Sequence, residues 1–236
     1  MNRRGMTRRA FLKAMGAGAL ALGGAGKALA YASSPHAQRG ARSYLEWAQL
    51  RYAGSWDPNP RGPERFLSEL RRRTSVEPSP QRRLLEPGDP ALFELPLLYV
   101  SGRSGLPDPA GLAPWLRRYV DYGGFVLFDD ASGFADSSFL SGVTALLARA
   151  FPESPLKPLP QDHTVFQTFY LLADAAGRKI VRPELLGVDR EDLTPVIVCQ
   201  NDLGGAWDGD ILGAFTNPCI PGGERQREMS IRLGVN

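Results

Sequence analysis

The sequence contains only 2 Cys and 2 His among its 236 residues. Neither Cys sits in a C-x-x-C pair or another zinc-ligand spacing, and two are too few for a disulfide-rich miniprotein. The chain also lacks a G-x-S-x-G motif, a phosphate-binding loop, a G-x-G-x-x-G fingerprint after a strand and an H-E-x-x-H motif. The first of these absences excludes an ordinary serine enzyme of the α/β-hydrolase type, and the others leave no motif that assigns a cofactor or a metal.

Acidic residues are absent from the first thirty positions, where Arg and Lys occur six times. The remaining residues carry 22 Lys and Arg against 25 Asp and Glu, although the whole chain has a net charge of +3. This excess of acid over base makes nucleic acid and anionic lipid poor partners for the folded part. No apolar run after residue 30 approaches the length of a membrane span, so we expect no stable membrane span in the mature chain.

The first thirty residues have the three parts of an export signal. A basic segment from Thr7 to Lys13 precedes a weakly apolar run from Ala14 to Gly26, and Ala28-Leu29-Ala30 is a small-x-small cleavage site. With its paired Arg followed by Phe-Leu, the segment resembles a bacterial twin-arginine export signal. The alternative is a basic amphipathic helix that stays on the protein.

This resemblance implies that the twin-arginine translocase exports the chain to the periplasm or to the outside of the cell. We predict a signal peptide over 1–30, a flexible lead-in over 31–43 and a single α/β domain over 44–236. An oxidising compartment permits a disulfide between Cys199 and Cys219, but two buried free thiols fit the sequence equally well.

Apolar strands alternate with helices along the rest of the chain. This order indicates β-α-β units, and therefore an α/β fold with a doubly wound, mainly parallel sheet and helices on both faces. The predicted strands are Tyr44–Tyr52, Leu95–Ser101, Phe125–Phe128 and Val196–Cys199, and the predicted helices start at Pro63 or cover 109–122 and 136–150.

Polar and aromatic residues gather where these strands end. Ligands of an open α/β sheet bind outside the carboxyl ends of the strands, so we expect the site there. The candidate ligand-binding residues are Trp56, Asp57, Asn201, Asp202 and Trp207, and the candidate catalytic residues are Asp129, Asp130 and His163.

Several motifs together resemble the bacterial family called domain of unknown function 4159. The resemblance covers nearly all of 44–236 and implies a fold related to class I glutamine amidotransferases and trehalose-utilisation-type proteins, in cell-envelope settings, with no established activity. The motifs are Tyr52 to Asp57, Tyr119-x-x-x-Gly123-Gly124-x-x-x-x-Asp129-Asp130, Asp162-His163-x-Val165-Phe166-x-x-Phe169-Tyr170, Asn201-Asp202-Leu203-x-Gly205-Ala206-Trp207 and Arg232 to Asn236.

Amidotransferases of this kind place a nucleophilic Cys on a sharp turn after a strand. The strand that best fits that place here ends in Asp129-Asp130, and no Cys follows it. An aspartate cannot form a thioester, so glutaminase chemistry is not expected. Cys199 lies before a different turn and is interpreted as a core residue.

The acidic residues and His163 allow two chemical interpretations. Asp129, Asp130, His163 and Asp202 together would offer oxygen ligands and one imidazole, a set compatible with Mg²⁺, Mn²⁺ or Zn²⁺. They would also support hydrolysis, with a carboxylate orienting His163 as general base. Structural roles compete with both: the aspartates can cap backbone N–H groups, and His163 can be a hydrogen-bonded packing residue.

Three functions follow in order of preference. The first is an exported domain that binds a small molecule or an envelope protein without amidotransferase chemistry. The second is a periplasmic hydrolase, metal-assisted or not, that acts on carbohydrate or cell-wall material. The third is a structural module that docks onto an envelope complex and exposes a broad apolar patch. The sequence identifies no cofactor.

Overall fold

Short apolar segments form the strands of a twisted sheet, and amphipathic segments between them form the helices. The protein is described here by a computed structural model that covers residues 44–106 and 109–236. The predicted signal peptide and lead-in lie outside these described residues, and the bounds of the single domain stay a prediction. In chain order the strands are β1 (Tyr44–Leu45), β2 (Trp47–Leu50), β3 (Glu77–Pro78), β4 (Arg83–Leu85), β5 (Leu97–Gly102), β6 (Phe125–Asp130), β7 (Lys157–Pro158), β8 (Leu186–Arg190) and β9 (Leu193–Cys199), and the helices are α1 (Gly62–Arg73), α2 (Pro109–Asp121), α3 (Ser138–Ala150), α4 (Leu203–Trp207) and α5 (Gly223–Val235).

The main sheet has seven strands in the order β4-β2-β5-β6-β9-β8-β7. The five strands from β4 to β9 in this order are parallel, whereas β8 and β7 run antiparallel to their neighbours. The prediction of a doubly wound, mainly parallel α/β sheet is confirmed. Strands β1 and β3 form a separate two-stranded sheet.

Alternating side chains of the central strands belong to two apolar cores, one on each face of the sheet. On one face Leu98 and Val126 pack with residues of α2 and α3. On the other face Tyr99 and Ile197 pack with residues of α1, α4 and α5. Because both faces are covered, the central strands consist of nearly continuous apolar runs.

The chain reverses direction across the sheet between β2 and β5. It first leaves β2 through α1 to reach β4 on one side, and then returns to β5 on the other side of β2. The connections after these two strands therefore diverge, which opens a crevice at their carboxyl ends. We call this place the switch point.

The predicted helices agree with the structure, whereas the strands at the edges of the sheet differ from the prediction. Helix α1 starts with Pro63 in its first turn and buries Phe66, Leu67 and Leu70, as predicted. The predicted first strand is interrupted at Glu46, so that β1 and β2 belong to different sheets. Strands β4, β7 and β8 were not predicted, because each is short or has a weak apolar pattern.

Cys199 and Cys219 are buried free thiols. Burial raises the pKa of both thiols above its ordinary value, which keeps them protonated and unreactive at neutral pH. The interpretation of Cys199 as a core residue is confirmed by its complete burial. Among the described residues, no helix is both long and apolar enough to cross a membrane.

Candidate functional site

The turn after β9 carries an unusual backbone conformation. Asp202 has φ 58° and ψ 65°, in the left-handed region, and helix α4 starts at the next residue. Asp tolerates this region better than most residues, because its short side chain can bond to nearby backbone groups. A strand, a strained residue and a helix in succession give the shape on which hydrolases and amidotransferases display a nucleophile. The sharp turn therefore lies after β9, not after Asp129-Asp130 as expected, and it carries an aspartate.

Two side-chain carboxylates accept hydrogen bonds from the first N–H groups of α4. The N–H groups of Leu203 and Gly204 each donate to Asp129, at N···O distances of 2.8 Å. The N–H group of Gly205 donates to Asp202 over 2.9 Å. In enzymes with this turn, the amide that follows the nucleophile binds the oxyanion. Here that amide belongs to Leu203 and is already bonded to Asp129.

Asp129 is a completely buried carboxyl group with three donors. The third donor is the hydroxyl of Tyr99, 2.6 Å from its Oδ2. Burial, together with the nearby charge of Asp202, raises the pKa of Asp129 from 3.8 to about 7. The three hydrogen bonds oppose this shift because they favour the charged form. The same burial and the charge of Asp129 raise the pKa of Tyr99.

Asp202 is held by groups from two distant loops. Asn59 donates to its Oδ1 over 2.8 Å, and Arg178 forms an ion pair with its Oδ2. Burial raises the pKa of Asp202, while Arg178 opposes that rise. The side chain is completely buried, so it is not presented to a ligand.

Asp130 and Asn201 also stabilise the loops around them. Asp130 accepts from the N–H of Ser132 over 2.9 Å and from the hydroxyl of Ser137, the residue that caps α3. Asn201 accepts from the N–H groups of Val181 and Arg182, and its amide donates to two carbonyl oxygens of the same loop. These contacts match the structural alternative stated for the aspartates.

The structure does not bring His163 to the aspartates. Its Nε2 lies 3.0 Å from Oγ1 of Thr194, near the start of β9, and its Nδ1 accepts from the N–H of Val165. Asp129 pairs with Cys199 at the other end of that strand. The five residue steps from Thr194 to Cys199 span about 16 Å along the strand. The expected joint site of Asp129, Asp130 and His163 is therefore wrong as a single cluster, because the imidazole lies at the amino edge of the sheet.

Metal binding by these groups also lacks a geometric basis. Within 44–106 and 109–236, no three His, Cys, Asp or Glu side chains are grouped so that they could hold a metal ion. The set proposed from the sequence is divided between the two edges of the sheet. His163 instead donates through Nε2 to Thr194, whose hydroxyl donates to Asp189 over 2.7 Å.

Trp207 is a core residue and not a ligand-binding one. Its ring stacks on Phe66 with centroids 4.4 Å apart, and its indole N–H donates to the carbonyl of Ser230. Only 1% of its surface is exposed. The sequence suggested a loop at this position. Trp207 belongs instead to helix α4, and its side chain packs in the core that α1, α4 and α5 cover.

A cleft of about 730 Å³ lies next to the switch point, between the segments after β2 and β4 and helix α2. Tyr52 and Trp56 come from the segment after β2, Glu86 follows β4, and Trp115 comes from α2. Three aromatic side chains and a pair of opposite charges thus surround a space of the size that small-molecule sites have. Among the predicted ligand-binding residues, only Trp56 lines this cleft.

The sequence interpretation missed most of the lining. Trp115 lies on the apolar face of a helix, a pattern that favours a core position; it is half-buried, packing against the core with one part of its surface and lining the cleft with another. Arg51 and Glu86, which form an ion pair across the cleft, follow β2 and the unpredicted β4. Knowing that β4 is a strand would have pointed to Glu86, because ligand-binding residues follow strand ends.

Arg82 fixes the loop that carries Trp56 without lining the cleft. Its guanidinium bonds both oxygens of Asp57, over 2.7 and 2.8 Å, and the side chain of Gln49. Gln49 in turn donates to the carbonyl of Trp56 over 2.9 Å. Asp57, predicted to bind ligand, is therefore engaged by Arg82 and positions its neighbour.

Comparison with known proteins agrees with the resemblance in the sequence. The family model described as Domain of unknown function (DUF4159) matches residues 46–236. A search of curated proteins gave no match.

The raised pKa of Asp129 gives a pH dependence of stability. The folded chain binds this proton more tightly than the unfolded chain, so the stabilising effect is full below pH 3.8 and is lost as the pH rises through about 7. We expect the free energy of unfolding to fall over this range, by at most about 1.4 kcal/mol per pH unit from this group.

Urea unfolding of the wild type and of Asp129→Asn at about pH 5 and about pH 8 measures this effect. The variant should be less stable at both values and should lose less stability between them. Asp192→Asn, at an exposed turn, is the matched control. An unchanged difference between the two pH values in Asp129→Asn would contradict the assignment.

Proposed function

The chain belongs to the DUF4159 family, and we propose that this member is an exported domain that binds a small molecule in the switch-point cleft, without amidotransferase chemistry. The cleft carries this proposal, because it combines a size of about 730 Å³ with aromatic and charged lining. A space of this volume is within the range of small-molecule sites. Trp56 and Trp115 form the aromatic binding surface, over the buried Tyr52.

The order of the parallel strands relates the cleft to a known kind of site. Numbered along the chain, the five parallel strands run 2-1-3-4-5 across the sheet, as in flavodoxin-like folds, where the ligand lies between the first and third strands. The cleft adjoins that position: its lining follows the first and second strands and includes α2, which follows the third. A relation to the class I glutamine amidotransferase fold is part of the proposal and rests on the sequence resemblance.

Two observations speak against catalysis at the β9–α4 turn. The amides that would bind an oxyanion are bonded to Asp129, and His163 is hydrogen-bonded to Thr194 at the other edge. A general base and a carboxylate must lie within hydrogen-bonding reach to act together. The hydrolase alternative is therefore not put forward.

The docking alternative requires one broad apolar surface. Among the described residues, the large apolar side chains with the greatest exposure are spread over several segments of the sequence. We rank ligand binding above docking because the cleft gives it a defined site. These side chains are Tyr122, Phe134, Phe169, Leu171, Ile211 and Leu212.

Export through the twin-arginine translocase is the second part of the proposal. The pair Arg8-Arg9, the following Phe-Leu and the small-x-small site support it. The mature chain then acts in the periplasm or outside the cell.

Replacing Arg8 and Arg9 together by Lys keeps the charge and removes the paired guanidinium groups. We expect the double variant to stay in the cytoplasm, as measured by cell fractionation. Replacing Arg3 and Arg4 by Lys is the matched control and should leave export intact. Export of both variants at the wild-type level would contradict a twin-arginine signal.

A thermal-shift screen of the full chain tests the cleft. The probes are monosaccharides and trisaccharides, dipeptides, nucleosides and organic acids. A ligand at 100 times its Kd adds about 2.7 kcal/mol of stability, which raises Tm by about 5–10 °C in a domain of this size. Each shift should disappear in Trp56→Ala.

Tyr122→Ala is the control variant, because Tyr122 is an exposed aromatic residue at the end of α2. Its Tm should rise with the same compounds as that of the wild type. Shifts that persist in Trp56→Ala, or a screen without any shift, would overturn binding in the cleft.

A further inference from the structure

The switch-point cleft is one half of a longer groove. A second space of about 460 Å³ is lined by Leu84, Asp89 and residues shared with the cleft. Arg51 and Glu86 line both spaces, so the two lobes meet at this ion pair. We call the aromatic half the inner lobe and the other half the outer lobe. A groove of this form suits an elongated ligand with repeating units.

The inner lobe has the chemistry that sugar rings need. Trp56 and Trp115 are partly exposed aromatic side chains, of the kind that packs against the apolar C–H face of a pyranose ring and leaves its hydroxyls to polar partners. The indole N–H of Trp115 is buried and has no acceptor among the described residues. A buried donor of this kind is costly unless an oxygen reaches it.

The groups between the lobes can bind hydroxyls at low cost. Arg51 and Glu86 are 53% and 65% exposed, and an exposed ion pair contributes about 0–1 kcal/mol. Opening it for a ligand therefore sacrifices little stability. A guanidinium group presents parallel donors and a carboxylate presents two acceptors, which matches adjacent hydroxyls of a sugar.

The charges of the groove disfavour anionic ligands. Glu86 and Asp89 outnumber Arg51, so the lining repels a phosphate or a carboxylate. An uncharged ligand with many hydroxyls meets no such penalty. A chain of sugar units also has the alternation of apolar faces and polar edges that the two lobes show.

We infer that the groove binds a neutral oligosaccharide, with one pyranose ring against the aromatic side chains of the inner lobe and the next units along Arg51, Glu86 and the outer lobe. This inference rests on the proposed binding function of the cleft and adds the class of its ligand.

Titration calorimetry of the full chain with three sugar series tests the inference. The probes are glucose with cellotriose and with maltotriose, and N-acetylglucosamine with its β-1,4-linked trimer, alongside trialanine as a chain of similar length. At least one trisaccharide should bind tenfold or more tightly than its monomer, because only the longer chain reaches both lobes. Trialanine should not bind.

Variants locate the binding. Trp56→Ala should lower the affinity for the trisaccharide by more than tenfold. Glu86→Gln should lower it by about threefold to tenfold, because one charged hydrogen-bond acceptor is lost. Glu184→Gln is the matched control, because this exposed residue precedes β8 on the far side of the sheet. It should leave the affinity unchanged.

The outcomes separate the two proposals. Binding of trialanine that is lost in Trp56→Ala, without binding of any sugar, would overturn the oligosaccharide class and keep the cleft as a binding site. Absence of binding by every probe would remove both. A trisaccharide that binds Trp56→Ala and Glu86→Gln as tightly as the wild type would also overturn the inference.

Discussion

The buried carboxyl group of Asp129 fixes the position of the β9–α4 turn. It receives the N–H groups of Leu203 and Gly204 and the hydroxyl of Tyr99, and so it joins strands β5 and β6 to the start of α4. Without it, two helix amides would be buried without acceptors, each at a cost of about 1–3 kcal/mol. The left-handed backbone of Asp202, which strains the turn by about 1–3 kcal/mol, is tolerated because these contacts hold both sides of it.

This constraint divides the carboxyl edge of the sheet into two parts. Around β6 and β9 the polar groups bond to one another, so the catalytic appearance of the acidic residues reflects their structural roles. Next to the switch point, the segments after β2 and β4 and helix α2 leave aromatic and charged side chains around an open groove. Arg82 stabilises this second part, because it anchors the loop of Trp56 through Asp57 and Gln49. The proposed ligand binding therefore concerns the second part.

Local patterns predicted the central strands and three of the helices, but not β4, β7, β8, α4 or α5, nor which strand ends meet. The central strands β5, β6 and β9 and the three longer connecting helices follow from apolar runs and from helical spacing, because both faces of the sheet are buried. The position of His163 depends on the length of β9 and on the antiparallel β8, neither of which the pattern determines. Trp207 lies in the core and not at the site, whereas Trp115 lines the cleft. The sequence does not show this difference, because the burial of an aromatic ring depends on what packs across from it.

Native-state hydrogen exchange of the amides of Leu203 and Gly204 tests the central claim most directly. If Asp129 holds them, both should exchange in the wild type only through global unfolding, as the amides of β6 and β9 do. In Asp129→Asn they should exchange faster than those strand amides, through local opening of the turn. Rapid exchange of both amides in the wild type would mean that they are free donors at an open site, and it would contradict the account.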